Sequence, residues 1–204
     1  VYSLLMQYAA GFGKSNIIGW TALQLKDMRR NGAYVYDKIM IVVDRLQLRS
    51  QLDSLMLNMN IDKRMYIEAH NKKTFQDALK SDMRIVIVNL QKFGAARDML
   101  DQEVLDKLAQ LRIVFLIDEI HRSNSGELHE DMVNIFDELQ SAFDQDKTYQ
   151  AKRSKKNLII GFTATPDDHT LARFGEYSGY AESEKLWVPF DSYTMKEAIE
   201  DGFI

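Results

Sequence analysis

The chain has 204 residues, 46% hydrophobic and 27% charged, which suits one sizeable globular domain and excludes a largely disordered protein. Its net charge of −4 neither indicates nor excludes nucleic acid as a partner, and the absence of cysteine excludes disulfide and thiol chemistry. Because no apolar stretch approaches membrane-spanning length, we expect no membrane partner, and the lack of cysteine fits a reducing, cytoplasmic location.

Short apolar runs, mostly β-branched and without polar alternation, predict strands that are covered on both faces. They are residues 4–6, 39–43, 85–88, 113–117 and 158–162. Helical patterns lie between them: Ile18, Ala22 and Leu25 share one face after Lys14, and residues 128–143 form a second amphipathic pattern. Strands alternating with helices predict an α/β fold with a mainly parallel central sheet, whose ligands bind at the carboxyl ends of the strands.

A glycine-rich sequence, AGFGKS at residues 10–15, follows the first predicted strand and opens the first predicted helix. In this context Gly11, Phe12 and Gly13 form a loop whose backbone N–H groups can turn towards phosphates. The helix N-terminus adds partial positive charge to the same place. The sequence therefore predicts a nucleotide-binding loop.

The two residues that follow this loop supply the side chains that a nucleotide site needs. The Lys14 ammonium can reach the β- and γ-phosphates of ATP, and the Ser15 hydroxyl can ligate Mg²⁺. The full phosphate-loop pattern, GxxxxGK[ST], expects glycine where this chain has Tyr8. A helix-capping loop of no catalytic role is the alternative interpretation of this motif alone.

Two adjacent acids, Asp118 and Glu119, end the apolar run at residues 113–117, and His121 follows closely. At the carboxyl edge of the sheet Asp118 can hold Mg²⁺, and Glu119 can orient or deprotonate an attacking water. A polar strand end that caps the next segment would explain one acid better than an adjacent pair.

A third sequence, GFTATP at residues 161–166, again lies at the end of a predicted strand. The hydroxyls of Thr163 and Thr165 can bridge the acids of the magnesium site to a neighbouring lobe. Taken alone, this sequence is more typical of a strand that stops at a proline turn.

The three motifs occur in this order at strand ends of one predicted sheet, and together they resemble motifs I, II and III of superfamily 2 helicases and translocases. The resemblance implies a RecA-like P-loop NTPase lobe, a three-layer sandwich that binds ATP and Mg²⁺. It implies catalytic roles for Lys14, Asp118 and Glu119. It implies roles in coupling hydrolysis to movement for His121, Thr163 and Thr165.

Further segments resemble parts of the R subunits of type I restriction enzymes, the subunits that carry the motor and the nuclease. They are residues 42–52, 88–94, 118–123 and 193–202. By that resemblance Arg45, Gln91 and Lys92 face the DNA backbone, where phosphate contacts hold a motor without reading sequence. A solvated helix start is an equally good interpretation of Arg45.

This chain departs from the family pattern at two positions besides Tyr8. Phe12 stands where a small or hydroxyl residue is more usual, and Ile120 stands where alanine is common. We expect Phe12 to change how closely the loop wraps phosphate. Neither substitution removes a group that the chemistry needs.

The type I resemblance implies a larger protein. Its partners would be double-stranded DNA and the modification and specificity subunits of a restriction complex, and an endonuclease domain would lie upstream. We expect residues 1–170 to form the first motor lobe and residues 171–204 to lead towards a second lobe. Arginines of that second lobe would complete the ATP site, so these 204 residues alone should hydrolyse ATP very slowly.

Other classes of protein remain alternatives. The motor lobe of a type III restriction enzyme or of an RNA helicase would carry the same three motifs. A phosphate-loop small-molecule kinase would need a substrate lid. It would not need the acidic motif at residues 118–121 together with the threonine motif at residues 161–166. A nucleotide-binding regulatory module without motor output is disfavoured only by the presence of Lys14, Asp118 and Glu119.

Overall fold

The computed structural model describes residues 2–43, 62–89, 110–121, 157–181 and 184–203. The helices in these ranges are α1 (Lys14–Asp27), α2 (Lys72–Lys80), α3 (Asp168–Phe174) and α4 (Met195–Glu200), with a 3₁₀ turn at Lys63–Met65. The strands of the first half are β1 (Tyr2–Tyr8), β2 (Arg29–Arg30), β3 (Ala33–Tyr34), β4 (Lys38–Val43), β5 (Tyr66–Ala69) and β6 (Ile85–Asn89). Those of the second half are β7 (Ile113–Asp118), β8 (Leu158–Thr163), β9 (Glu176–Ala181), β10 (Glu184–Val188) and β11 (Asp191–Tyr193).

Each apolar run that the sequence marked as a strand is one, in β1, β4, β6, β7 and β8. The helix predicted after Lys14 is α1, whose buried residues are Ile18, Gly19 and Ala22. The helix predicted at residues 128–143 lies outside the described residues.

Within the described ranges, seven strands form one sheet in the order β11-β1-β8-β7-β4-β6-β5. All of its neighbouring strands are parallel, so their carboxyl ends lie at the same edge. Two antiparallel pairs, β2 with β3 and β9 with β10, stand apart from this sheet. The strands that carry the three motifs, β1, β8 and β7, are immediate neighbours, which brings the motifs together.

The sheet lies between two layers of helices, and successive side chains of its central strands pack against opposite layers. Along β4, Met40 and Val42 join the cluster that contains Phe75 of α2 and Phe174 of α3. Ile39, Ile41 and Val43 join the other cluster, which contains Ile18 and Ala22 of α1. All six residues of β4 are buried, which explains why the sequence shows a continuous apolar run instead of alternation. The predicted α/β, RecA-like three-layer architecture with a parallel central sheet is therefore confirmed.

None of the helices in the described ranges combines the length and the apolar character that a membrane span requires.

Candidate functional site

The phosphate loop connects β1 to α1 at the carboxyl edge of the sheet. Gly11 has φ of 82° and Gly13 has φ of 86°, a left-handed backbone that strains any residue with a Cβ atom. A Cβ atom on Gly11 would meet nothing within 4 Å, so conformation and not space is what requires glycine there. Between them, the Phe12 N–H donates to the Ala9 carbonyl at 3.2 Å and tightens the turn.

The side chain of Lys14 bridges the phosphate loop and the acidic motif. Its ammonium Nζ donates to the Tyr8 carbonyl at 3.4 Å and lies 3.7 Å from Oε1 of Glu119. The Lys14 side chain is only 11% exposed, which reduces screening of its charge by water. Ser15 is the next residue of α1, whose N-cap residue Gly13 offers no side-chain cap and whose first turn carries no acid.

The acidic motif forms a sharp turn at the end of β7. Asp118 is the last residue of the strand, is 4% exposed and stands in register with Phe162 of β8. Glu119 follows with φ of 51°, an uncommon backbone conformation for a residue with a side chain. A conformation of this kind costs on the order of 1–3 kcal/mol and concentrates at functional sites. Here it accompanies a carboxylate that lies close to both Lys14 and His121.

His121 connects the acidic motif to the threonine motif. Its Nδ1 lies 2.7 Å from Oγ1 of Thr163 and 3.3 Å from Oε2 of Glu119. Thr163 is fully buried and its Oγ1 also accepts the backbone N–H of Thr165 at 3.2 Å. Since Nδ1 faces a carboxylate as well as a hydroxyl, an Nδ1 that carries a proton suits both neighbours.

These contacts form a continuous chain of polar groups, Lys14–Glu119–His121–Thr163, across three neighbouring strands. The register explains how distant motifs meet, because Thr163 pairs with Gln7 of β1 on one side of β8. On its other side β8 pairs with β7, whose last residue is Asp118. The sheet therefore places an ammonium, two carboxylates and an imidazole at one edge.

The residues at this edge suit a magnesium–nucleotide complex. Loop glycines, a helix N-terminus and Lys14 offer donors and positive charge to phosphates. Mg²⁺ in such sites takes one or two protein oxygens, the phosphates and water, so Ser15 and Asp118 are the residues that could hold the ion here. The described residues include no group of three or more histidine, cysteine or acidic side chains that could hold a metal ion by themselves.

Of the predicted site residues, some are in contact with one another, some lie beside these, and some fall outside the described residues. Lys14, Glu119, His121 and Thr163 are in direct contact, and Thr165 joins them through its backbone N–H. Gly11, Phe12, Gly13 and Ser15 lie in the loop and first helical turn beside them. The predicted DNA-binding residues Arg45, Gln91 and Lys92 lie outside the described residues.

Sequence reasoning missed an aromatic contact between the loop and β11. The ring of Phe12 stacks on that of Tyr193, with centroids 4.3 Å apart and an interplanar angle of 29°. The feature of the sequence that could have revealed this contact is Phe12 itself, because a large apolar side chain in a tight loop needs a surface to pack against.

Tyrosine hydroxyls on both sides of this contact are held by carboxylates. Burial and a 2.6 Å hydrogen bond to Asp191 raise the pKa of Tyr8 well above its ordinary value. Desolvation and a 2.7 Å hydrogen bond to Asp201 raise the pKa of Tyr193 to about 12. Both phenols are therefore neutral donors at physiological pH.

Comparison with known proteins agrees with this geometry. The profile of the SWI2/SNF2 ATPase family matches residues 6–204. The type I restriction enzyme SsaAORF53P endonuclease subunit of Staphylococcus saprophyticus is 26% identical over 169 residues, which are 81% of this chain and 15% of that protein. The chain thus spans a small part of this relative's length.

Among solved structures, the helicase domain of Pyrococcus furiosus Hef superposes with a TM-score of 0.48 at 15% identity, over 82% of this chain and 30% of that one. The family profile includes the phosphate loop, the acidic turn and the threonine motif, and extends through the C-terminal segment that carries Tyr193. Because that profile covers nearly the whole chain, the protein belongs to the SWI2/SNF2 ATPase family.

Proposed function

We propose that this chain is the first RecA-like motor lobe of an ATP-driven translocase on double-stranded DNA, within the R subunit of a type I restriction enzyme. In this proposal residues 1–170 form the nucleotide-binding lobe, and residues 171–204 are its C-terminal segment, which leads towards a second lobe. The observation that carries the proposal is the polar chain Lys14–Glu119–His121–Thr163 at the carboxyl edge of β1, β7 and β8.

The proposed roles follow from position and charge. Backbone N–H groups of Gly11 and Gly13 and the Lys14 ammonium bind the phosphates, while Ser15 and Asp118 hold Mg²⁺. The bound ion neutralises negative charge that develops on the phosphate oxygens. These groups fix the triphosphate beside the turn at Glu119.

Glu119 is the proposed base that orients or deprotonates the attacking water. Its carboxylate is 22% exposed, so water can reach it, and its two oxygens lie near a cation and an imidazole. The His121 imidazole passes any change at Glu119 to the buried hydroxyl of Thr163. Through Thr163 and Thr165, the state of the nucleotide reaches the strand end where a second lobe would contact this one.

The restriction-enzyme part of the proposal is supported by the 26% identical endonuclease subunit. The proposed partners are double-stranded DNA and modification and specificity subunits. Arg45, Gln91 and Lys92 are proposed contacts to the DNA backbone. A type III restriction motor or an RNA helicase is the alternative for the same lobe.

The test is the ATPase activity of the full-length parent protein with linear duplex DNA, with RNA, and with neither. Glu119→Gln should abolish DNA-stimulated hydrolysis while nucleotide binding persists, because the amide keeps the shape of the side chain and loses its basicity. Glu200→Gln, the same change at a site where the side chain is 63% exposed, is the matched control and should behave as wild type.

Each outcome has a distinct meaning. Strong stimulation by duplex DNA that Glu119→Gln removes supports the proposed motor. Stimulation by RNA alone assigns the lobe to an RNA helicase, and activity indifferent to nucleic acid overturns the translocase proposal. DNA cleavage by the parent together with modification and specificity subunits tests the type I assignment, and its absence in the reconstituted complex would contradict that assignment.

A further inference from the structure

The tip of the phosphate loop is held by an aromatic side chain from the far end of the sequence. Phe12 stands between two glycines with left-handed backbone, which have no side chains of their own to hold the loop in place. The residue is 38% exposed, and its ring stacks on Tyr193 and makes a tilted contact with Tyr8 at a centroid distance of 5.6 Å. The stack therefore constrains where the loop tip lies, together with the hydrogen bond from the Phe12 N–H to the Ala9 carbonyl.

Tyr193 is itself fixed by contacts on both sides of the backbone. It is the last residue of β11, in register with Tyr8 of β1, and its carbonyl accepts the Ala9 N–H at 2.9 Å. Its hydroxyl donates to Asp201 just after α4. The ring also makes an edge contact with Phe203 at 6.5 Å.

The segment that holds Tyr193 has a defined local structure of its own. Thr194 and Glu197 form a capping box at the start of α4, with each side chain bonded to the other residue's backbone N–H. After α4, the Phe203 N–H donates to the Ala198 carbonyl at 2.9 Å, which turns the chain back towards Tyr193. A rigid support therefore stands beside the loop.

We propose that Tyr193 is a positioning residue for nucleotide binding: its ring holds Phe12 and so keeps the loop at residues 11–13 in the conformation that receives phosphates. This inference rests on the proposed ATP-binding function of the loop and deepens it. It gives Tyr193, at the end of β11, a role in the nucleotide site. It also gives a reason for the large aromatic side chain at the tip of the loop.

A ring contact that orders the loop stabilises the nucleotide-bound ground state and the transition state by the same amount. Its loss therefore raises KM and the dissociation constant for nucleotide and leaves kcat nearly unchanged. Aromatic pairs of this geometry correspond to a change of about 3- to 10-fold in affinity. If Tyr193 had a purely structural role, its substitution would lower thermal stability and would not raise KM while leaving kcat unchanged.

The experiment measures binding of a non-hydrolysable ATP analogue, and KM and kcat for ATP, in the full-length parent. Tyr193→Ala should weaken binding about 3- to 10-fold with kcat within about twofold of wild type. Tyr193→Phe keeps the ring and loses only the bond to Asp201, so it should restore most of the affinity. Tyr177→Ala removes a tyrosine with a ring contact to Trp187 in the β9–β10 hairpin and serves as the matched control.

Phe12→Ala tests the same contact from the exposed loop, where the substitution should not impair folding. Its effect should match that of Tyr193→Ala, and the double variant should be no weaker than either single one. Additive effects of the two substitutions would overturn the inference. So would unchanged nucleotide affinity in both single variants.

These outcomes are separable from failure of the proposed function. A wild-type parent that does not bind the analogue refutes the nucleotide site itself. A wild-type parent that binds it as tightly as the Tyr193→Ala and Phe12→Ala variants refutes only the role of Tyr193.

Discussion

A Cβ atom placed on Gly161 would lie 2.5 Å from Cδ1 and 2.9 Å from Cγ2 of Ile120. Gly161 belongs to β8 and Ile120 to the acidic turn after β7, so the two motifs are packed against each other with no space between them. The isoleucine fits here because residue 161 has no side chain. This packing holds the turn that carries Glu119 and His121.

We therefore expect Gly161→Ala to lower the free energy of unfolding by about 1–3 kcal/mol, because Ile120 is fully buried and its Cβ atom also lies 3.2 Å from the added methyl group, so the isoleucine can make room only by displacing its own neighbours. Ile120→Ala should cost about 2–4 kcal/mol by leaving a cavity. In the double variant the new methyl group occupies part of that space, so the combined cost should be well below the sum. Urea unfolding measures this coupling, and simple additivity would contradict it.

The contact between His121 and Thr163 should matter for coupling more than for hydrolysis itself. Thr163→Val keeps the shape of the side chain and removes the hydroxyl that lies 2.7 Å from Nδ1 of His121. We expect basal ATPase within about threefold of wild type, and stimulation by DNA to fall at least tenfold, the loss of about 1.4 kcal/mol. The measurement is the ratio of stimulated to basal rates.

Thr163→Ser is the control for that experiment, since it retains the hydroxyl and should keep the stimulation ratio near that of wild type. A valine variant that couples normally would show that the contact is dispensable. Equal loss of basal and stimulated rates would place Thr163 in the chemical step instead.

The pair Asp37–Arg112 should make stability depend on pH. Asp37 accepts hydrogen bonds from Arg112 through the backbone N–H at 2.8 Å and the guanidinium at 2.9 and 3.1 Å, at the amino ends of β4 and β7. Partial burial alone would raise the pKa of Asp37, but the bonds and charge of Arg112 outweigh it and hold the pKa below its ordinary 3.8. The contribution to stability is therefore complete above that ordinary value and is lost as pH falls through the lower, folded-state pKa.

Asp37→Asn should cost about 1 kcal/mol at pH 7, since the pair is partly exposed to water. The difference from wild type should shrink as pH falls below about 4, where the carboxylate of the unfolded chain begins to bind protons, and should disappear only once pH is below the lower pKa of the folded state. Denaturant titrations between pH 7 and pH 3 measure this, with Asp82→Asn at an exposed position as control. A difference that stays constant over this range would rule out the ion pair as its source.

Lys38 should stabilise the fold and have no part in catalysis. This buried lysine, 4% exposed, donates to the carbonyls of Ala78, Ser81 and Met83 at 3.0, 2.5 and 2.5 Å. It lies at the amino end of β4, away from the phosphate loop, and its ammonium caps the carbonyl end of α2.

Lys38→Met should lower the free energy of unfolding by about 2–3 kcal/mol, because buried carbonyls lose their donor. Nucleotide affinity should not change in the protein that remains folded. Lys196→Met, where the side chain is 83% exposed, is the matched control and should stay within about 0.5 kcal/mol of wild type. A stability loss no larger than that of the control would contradict a capping role for Lys38.

Much of the site could be predicted from sequence because its signals are local. The glycines next to Lys14 indicate a particular backbone conformation, and the acids at the end of an apolar run indicate where negative charge lies, each within a few residues of sequence. The central strands were predicted correctly for the same reason, since strands buried on both faces contain few polar residues. Short or mixed elements gave weaker signals: β5 and β11 have four and three residues, below the length at which a periodic pattern is distinct.

The sequence by itself determined that the candidate site residues lie at the ends of several strands, because residue type and spacing decide which groups can bind phosphate and magnesium. Only the tertiary structure decided which of these ends are neighbours. The order β1-β8-β7 is set by packing of the whole sheet, and it brings Glu119 to Lys14 and His121 to Thr163. The stack of Phe12 on Tyr193 has the same origin, since residues 181 positions apart meet only when β11 joins the sheet beside β1.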